Sequence, residues 1–148
     1  MSALLKKVVL ALGLCLAVPF SRGEELSVLL AGKYHEPVNG YKVGSNYFLN
    51  AKQAGVLYGG QVYWQSVSGR VQMSFRGRRL QFLVGSNEAQ VEGKPHAMDA
   101  AVMLRSNQAF IPLSFFLSEA FEDFTGMDSE FNERTKLLAV DRSSSLGP

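Results

Sequence analysis

Apolar and polar residues alternate strictly over residues 61–65 and 70–75, and this alternation predicts two adjacent β-strands. Residues 66–69 (SVSG) between them favour a turn, so the two strands are expected to form a hairpin with one apolar face. A third strand is predicted after Gly77, and residues 85–87 (GSN) are expected to end this meander. The apolar positions of the three strands are Val62, Trp64, Val71, Met73, Phe75, Leu80, Phe82 and Val84.

The segment before this meander predicts two strands and one helix. Residues 26–30 are the first strand candidate. The dipeptide Asn39-Gly40 predicts a two-residue hairpin turn, because both residues tolerate positive φ. Residues 47–49 form a short apolar strand that leads into Asn50, a residue type that caps helices. We therefore expect a helix over 51–58, ended by two glycines.

A similar order of elements returns about 60 residues later. A turn at Glu92-Gly93 follows a short strand, and a strand over 109–111 leads into a helix that begins at Pro112. Residues 123–133 are expected to form a solvated acidic loop before the last strand. The predicted buried stripe of the helix is Leu113, Phe116, Leu117 and Ala120, and Leu137 and Ala139 mark one face of the last strand. We interpret the chain as one domain made of two similar halves.

The N-terminus has the three parts of a cleavable export signal. Two lysines precede an apolar run over 8–20, and a short polar segment follows it. Pro19 makes the run shorter than the roughly 20 apolar residues that span a membrane. We predict a signal peptide over 1–23 with cleavage before Glu24, a domain over 24–142 and a polar tail or linker over 143–148. Cys15 follows Leu14 instead of a small residue, which argues against processing as a lipoprotein.

Cleavage at that position changes the charge and the cysteine content. The signal carries Lys6, Lys7 and Arg22 and no acidic residue, so its removal takes the net charge from +2 to about −1. The basic character of the full chain is therefore no argument for a nucleic-acid partner, and we expect none. The mature chain has no cysteine, so its core must stabilise it without disulfides.

Four segments resemble the copper amine oxidase N-terminal-like domains. They are residues 60–64 (GQVYW), 69–73 (GRVQM), 84–94 (VGSNEAQVEGK) and 109–116 (AFIPLSFF). They follow the order of that family along residues 60–116. Ser114 stands where the family usually has arginine, and Gln65 where it usually has aspartate.

The resemblance implies an α+β fold, in which a twisted antiparallel sheet packs on one or two short helices. It also implies a module without redox chemistry, which serves as a stalk in copper amine oxidases. In bacteria, similar domains belong to exported envelope proteins, often beside N-acetylmuramoyl-L-alanine amidases. We therefore expect no enzymatic activity, no cofactor and no stable membrane span after cleavage. The expected location is the periplasm, the cell wall or the extracellular space.

Candidate catalytic and metal-binding residues are few. His35 and His96 lack the further ligands that a zinc or copper site needs, so no metal is expected. Residues 123–130 place carboxylates near a glycine but lack the ligand order of an EF-hand. Glu119, Glu122 and Asp123 could supply a carboxylate pair for glycoside cleavage. The alternative function is therefore a small cell-wall hydrolase.

The best candidate binding residues are Arg76, Arg78, Arg79, Tyr63 and Trp64. Arginine forks suit carboxylates and phosphates, and the aromatic rings suit sugars. The expected partner is peptidoglycan or an envelope protein. The main hypothesis is an exported, non-catalytic module that serves as a stalk or binds peptidoglycan. A wall amidase is the domain that would follow it. A protein-binding regulator of an envelope enzyme is a further alternative.

Overall fold

The computed structural model describes residues 21–143. The predicted signal peptide, apart from its last three residues, and residues 144–148 of the predicted tail lie outside this range. The elements in chain order are β1 (Ser21–Leu30), β2 (Lys33–Val43), β3 (Asn46–Asn50), α1 (Ala51–Leu57), β4 (Gln61–Gln65), β5 (Arg70–Phe75), β6 (Arg78–Leu83), β7 (Glu88–Val91), β8 (Lys94–Ala97), β9 (Met103–Arg105), β10 (Gln108–Pro112), α2 (Leu113–Phe116), α3 (Glu119–Thr125), β11 (Met127–Asn132) and β12 (Leu137–Arg142).

The strands divide between two sheets, and the α+β class is confirmed. The larger sheet has the strand order β11-β12-β1-β2-β3-β10-β9. Its neighbours are antiparallel except β1 and β12, which run parallel. The smaller sheet is a meander, β4-β5-β6-β7-β8. The predicted end of the meander at residues 85–87 is wrong, because these residues turn the chain back and β7 pairs with β6.

The two halves are joined within the larger sheet by the pairing of β3 with β10. Strands β3 and β10 are antiparallel neighbours, with Leu49 opposite Ile111, and each strand leads directly into a helix. Asn50 caps α1 as predicted, because its side-chain oxygen accepts a hydrogen bond from the backbone N–H of Gln53 at 3.1 Å. Its side-chain amide also donates to Gln108 on β10. The helix start of one half is thereby bonded to the strand of the other.

The predicted hairpin turn at Asn39-Gly40 is wrong, since both residues lie inside β2. Gly40 pairs with Leu49 of β3, and its φ is not positive. A Cβ atom at this position would overlap with the carbonyl oxygen of Phe48. The glycine is required by the close approach of two strands and not by a turn. The Glu92-Gly93 turn is confirmed, with φ of 51° and 82° and Val91 opposite Lys94.

The helix predicted from Pro112 is interrupted after one turn. Helix α2 ends at Phe116 with Leu117 as its C-cap. Ser118 then caps α3, because its hydroxyl accepts a hydrogen bond from the backbone N–H of Phe121. The interruption rotates the chain, so the predicted buried stripe is only partly correct. Leu117 is 39% exposed, whereas Phe115, outside the predicted stripe, is 2% exposed.

Two predictions for the C-terminal part need correction. The acidic segment 123–133 is not an extended loop, because Asp123 lies in α3 and most of the rest forms β11. In β12 the buried residues are Leu138 and Val140, whereas Leu137 and Ala139 are only partly buried. Pairing of β12 between β1 and β11 sets which face of the strand points to the core.

Phe121 lies at the centre of the core and is fully buried. Its ring is edge-on to Tyr58 at 4.8 Å and to Phe116 at 5.1 Å, measured between ring centroids. The Tyr58 hydroxyl is hydrogen-bonded to the Ser129 hydroxyl at 2.6 Å. Burial raises the pKa of Tyr58 well above its usual range, and the charge of Asp128 adds to this effect, although the bond to Ser129 opposes it.

Candidate binding face

The pleat of β4 separates two of the predicted binding residues. Tyr63 and Trp64 are consecutive in this strand, so their side chains point to opposite faces of the smaller sheet. Tyr63 points away from the core and is 58% exposed. Trp64 lies opposite buried Val71, packs against the core and donates its Nε1–H to the carbonyl of Asn107 at 2.9 Å. The indole therefore connects β4 to the β9–β10 turn.

Arg78 is engaged in contacts within the fold. Its Nε lies 2.5 Å from a carboxylate oxygen of Glu92, and its Nη1 donates to the carbonyl of Phe124 at 2.7 Å. The guanidinium also lies over the Phe124 ring, 4.5 Å from the ring centroid. Arg78 thus attaches the start of β6 to α3, and these contacts occupy the group that ligand binding would use.

Arg76 and Arg79 are exposed, but only Arg79 shares a face with Tyr63. Arg76 lies in the tight β5–β6 turn with φ of 53°, followed by Gly77 with φ of 80°. Arg79 lies opposite Ser74, whose strand neighbours Met73 and Phe75 are buried. Arg79 and Tyr63 therefore both point away from the core, on strands separated by β5. The structure brings these two predicted residues to one surface and places Trp64 and Arg78 on the opposite side.

This surface, which we call the outer face, is formed by the side chains of β4–β8 that alternate with the buried ones. Register places these side chains in rows across the strands. One row is Tyr63, Gln72, Gln81, Gln90 and Pro95, each directly opposite the next. A second row is Gln61, Ser74 and Arg79, and a third is Gln65, Arg70 and Leu83.

The outer face carries more positive than negative side chains. Arg70 and Arg79 lie on opposite sides of the tyrosine–glutamine row, because β5 and β6 are antiparallel. Glu88 is the acidic residue of this face within residues 61–97, and it accepts a hydrogen bond from Gln90 at 3.1 Å. The Arg70 Nε is shielded from solvent and has no hydrogen-bond partner within the described residues. The face offers amides, one aromatic ring and two guanidinium groups to a ligand.

Sequence reasoning missed Gln72, Gln81, Gln90 and Arg70 as members of this surface. The alternation over 70–83 contains the signal, because it places Arg70, Gln72 and Gln81 on the same side of a hairpin as Tyr63. Gln90 joins them only through the pairing of β6 with β7, at Gln81 opposite Gln90. That pairing was not predicted.

A family model described as copper amine oxidase N-terminal domain matches residues 30–136. The chain belongs to this family. The matched residues lie inside the predicted domain and include the whole of the smaller sheet. The chain matches no curated protein.

The copper amine oxidase N-terminal domain is a non-catalytic accessory domain, and the arrangement of the carboxylates here is compatible with that role. Glu119 and Glu122 lie in the first turn of α3, beside its N-terminus. Glu122 accepts a hydrogen bond from the Ser143 hydroxyl at 3.0 Å. Asp123 is exposed on the same helix. These contacts stabilise the helix and its junction with the end of β12.

The histidines of this domain lie in different sheets, His35 in β2 and His96 in β8. Within residues 21–143, no group of three or more histidine, cysteine or acidic side chains is placed to hold a metal ion. In the same range no helix has the length and apolar character to cross a membrane.

A concave pocket of about 210 Å³ lies beside His96. Ser114, Phe115 and Ser118 line it together with residues 97–99. The His96 ring packs edge-on against Phe115 at 5.9 Å. The Ser118 hydroxyl donates to the carbonyl of Phe115 and caps α3, so its role is structural.

Proposed function

We propose that the protein is an exported, non-catalytic accessory module of the cell envelope that attaches to peptidoglycan and serves beside wall-cleaving amidases. The observation that carries this proposal is the outer face, where Tyr63 and Arg79 point to solvent on the five-stranded sheet. The family supports the non-catalytic part, and the N-terminal signal pattern supports export. Sugars and carboxylates of the wall are chemically suited to an exposed ring and to guanidinium groups.

Export and attachment are tested with one preparation. The full chain is produced in a host that exports it, and the N-terminal residue of the released protein is determined, with Glu24 expected. The released protein is then sedimented with isolated peptidoglycan sacculi, and soluble wall fragments are assayed in the same tube. We expect the protein in the pellet and no released fragments. Retention of Met1, or protein that stays in the supernatant, would contradict the proposal, and release of fragments would favour a hydrolase.

A matched pair of tyrosine variants locates the attachment. Tyr63→Ala removes the exposed ring of the outer face, whereas Tyr34→Ala removes a ring that is 82% exposed on β2 of the larger sheet. We expect Tyr63→Ala to weaken pelleting about tenfold, equal to roughly 1.4 kcal/mol, and Tyr34→Ala to leave it unchanged. Equal effects of both variants would show that attachment does not use the outer face.

A further inference from the structure

The tyrosine–glutamine row on the outer face crosses the sheet at right angles to its strands. It presents one uncharged side chain per strand, in the order Tyr63, Gln72, Gln81 and Gln90. Neighbouring strands are about 4.8 Å apart, so the three amides repeat at that spacing. This distance is close to the length of one pyranose unit. A sugar chain that lies along the row meets one amide per residue.

The row is held in place before any ligand arrives. Gln72, Gln81 and Gln90 are each partly buried by their neighbours on the sheet. The side-chain amide of Gln72 donates to the side-chain oxygen of Gln81 at 3.4 Å. Side chains that are already ordered lose less conformational entropy on binding. Each amide retains donor and acceptor capacity toward solvent, because a glutamine has two donors and an acceptor with two lone pairs.

The charges beside the row favour a polymer with scattered carboxylates. Arg70 and Arg79 lie on either side of the row, about 7 Å from it along their strands. Two guanidinium groups are few for a nucleic acid, whose binding needs several phosphate contacts. Leu83 is the exposed large aliphatic residue of this face. The face therefore lacks the apolar centre of a typical protein interface. A glycan with N-acetyl and carboxylate substituents matches both the amides and the arginines.

We infer that the tyrosine–glutamine row binds a glycan strand of N-acetylated sugars, with Tyr63 stacked on one ring and the glutamines bonded to hydroxyl and acetamido groups. This inference rests on the proposed attachment to peptidoglycan and names the part of the wall that is bound. Arg70 and Arg79 pair with carboxylates beside the sugar chain. In peptidoglycan these carboxylates belong to the peptide stems, which therefore strengthen binding through the two arginines but are not required for the row to bind the sugar chain.

The test uses a soluble hexamer of β-1,4-linked N-acetylglucosamine and isothermal titration calorimetry. We expect the released protein to bind the hexamer, and the double variant Gln72→Ala/Gln81→Ala to bind it at least tenfold more weakly, since two hydrogen bonds are lost. The control is Asn46→Ala, which removes an exposed amide from β3 of the larger sheet and is expected to change nothing. Thermal unfolding of both variants verifies folding, because substitutions on a solvated face have small effects on stability.

The outcomes separate this inference from the proposed function. Pelleting with sacculi without hexamer binding overturns the glycan assignment and leaves wall attachment in place. Hexamer binding without pelleting supports the glycan row and overturns wall attachment. Binding that the double variant retains in full overturns the assignment to this row. Failure in both assays overturns both proposals.

Discussion

Phe115 in α2 and Leu117 directly after it give different predictions for stability. Hydrophobic periodicity favours Leu117 as a core residue, whereas the structure exposes it and buries Phe115. Measured between ring centroids, Phe115 lies 5.1 Å from Phe82, 5.8 Å from Phe116 and 5.5 Å from Phe121. Replacement of each residue by alanine therefore tests the rotation of the chain at the α2–α3 interruption.

The expected losses differ severalfold. A buried phenylalanine replaced by alanine costs about 3–5 kcal/mol, because the surrounding side chains close the cavity only partly. For roughly 120 ordered residues the entropy of unfolding is about 0.25 kcal/mol/K, so Phe115→Ala should lower the melting temperature by about 12–20 °C. Leu117→Ala removes a partly exposed side chain and should cost at most about 1 kcal/mol, or about 4 °C.

Thermal unfolding followed by circular dichroism measures both shifts, and urea unfolding at 25 °C gives the free energies independently. Similar losses for Phe115→Ala and Leu117→Ala would refute the interruption of the helix and restore a continuous helix with the predicted stripe. A larger loss for Leu117→Ala would have the same meaning. If Phe115→Ala fails to fold, Phe115→Leu keeps the comparison, since it removes less volume at the same site.

Two further predictions concern the sheet and the core. Gly40→Ala should lower the free energy of unfolding, measured in urea, by about 1–3 kcal/mol or more, because its methyl group meets the Phe48 carbonyl. Asn39→Ala should change the free energy of unfolding by about 0.5 kcal/mol or less. Equal losses would favour the hairpin turn instead. Tyr58 has a raised pKa in the folded state, so its contribution is present below its unfolded pKa of about 10 and is lost as the pH rises above it. Tyr58→Phe should remove this loss of stability above about pH 10. It should also cost about 1 kcal/mol at neutral pH, because the bond to Ser129 is lost. An unchanged alkaline loss would contradict the assignment.

Local patterns predicted those elements whose stability is local. The β4–β5–β6 strands follow from strict alternation, and α1 follows from Asn50 and the two glycines after Tyr58. Elements that depend on distant partners were missed. Gly40 has the dipeptide signal of a turn, but β3 approaches it so closely that only a glycine fits. The pairing of β12 with β1 joins the two ends of the domain, and no local pattern indicates which face of β12 it buries.

The candidate site shows the same division between local and distant information. Arg76, Arg78 and Arg79 are neighbours in sequence, and their common charge suggests one cluster. In a strand, however, consecutive side chains point to opposite faces, so Arg78 reaches Phe124 while Arg79 points outward with Tyr63. The residues that share a surface with Arg79 are therefore found by strand register across β4–β7, not by proximity along the chain. Single substitutions along the row from Tyr63 on β4 to Gln90 on β7 therefore test binding more directly than removal of all three arginines. Removal of Arg78 would also detach α3 from β6, because its guanidinium bonds to the Phe124 carbonyl.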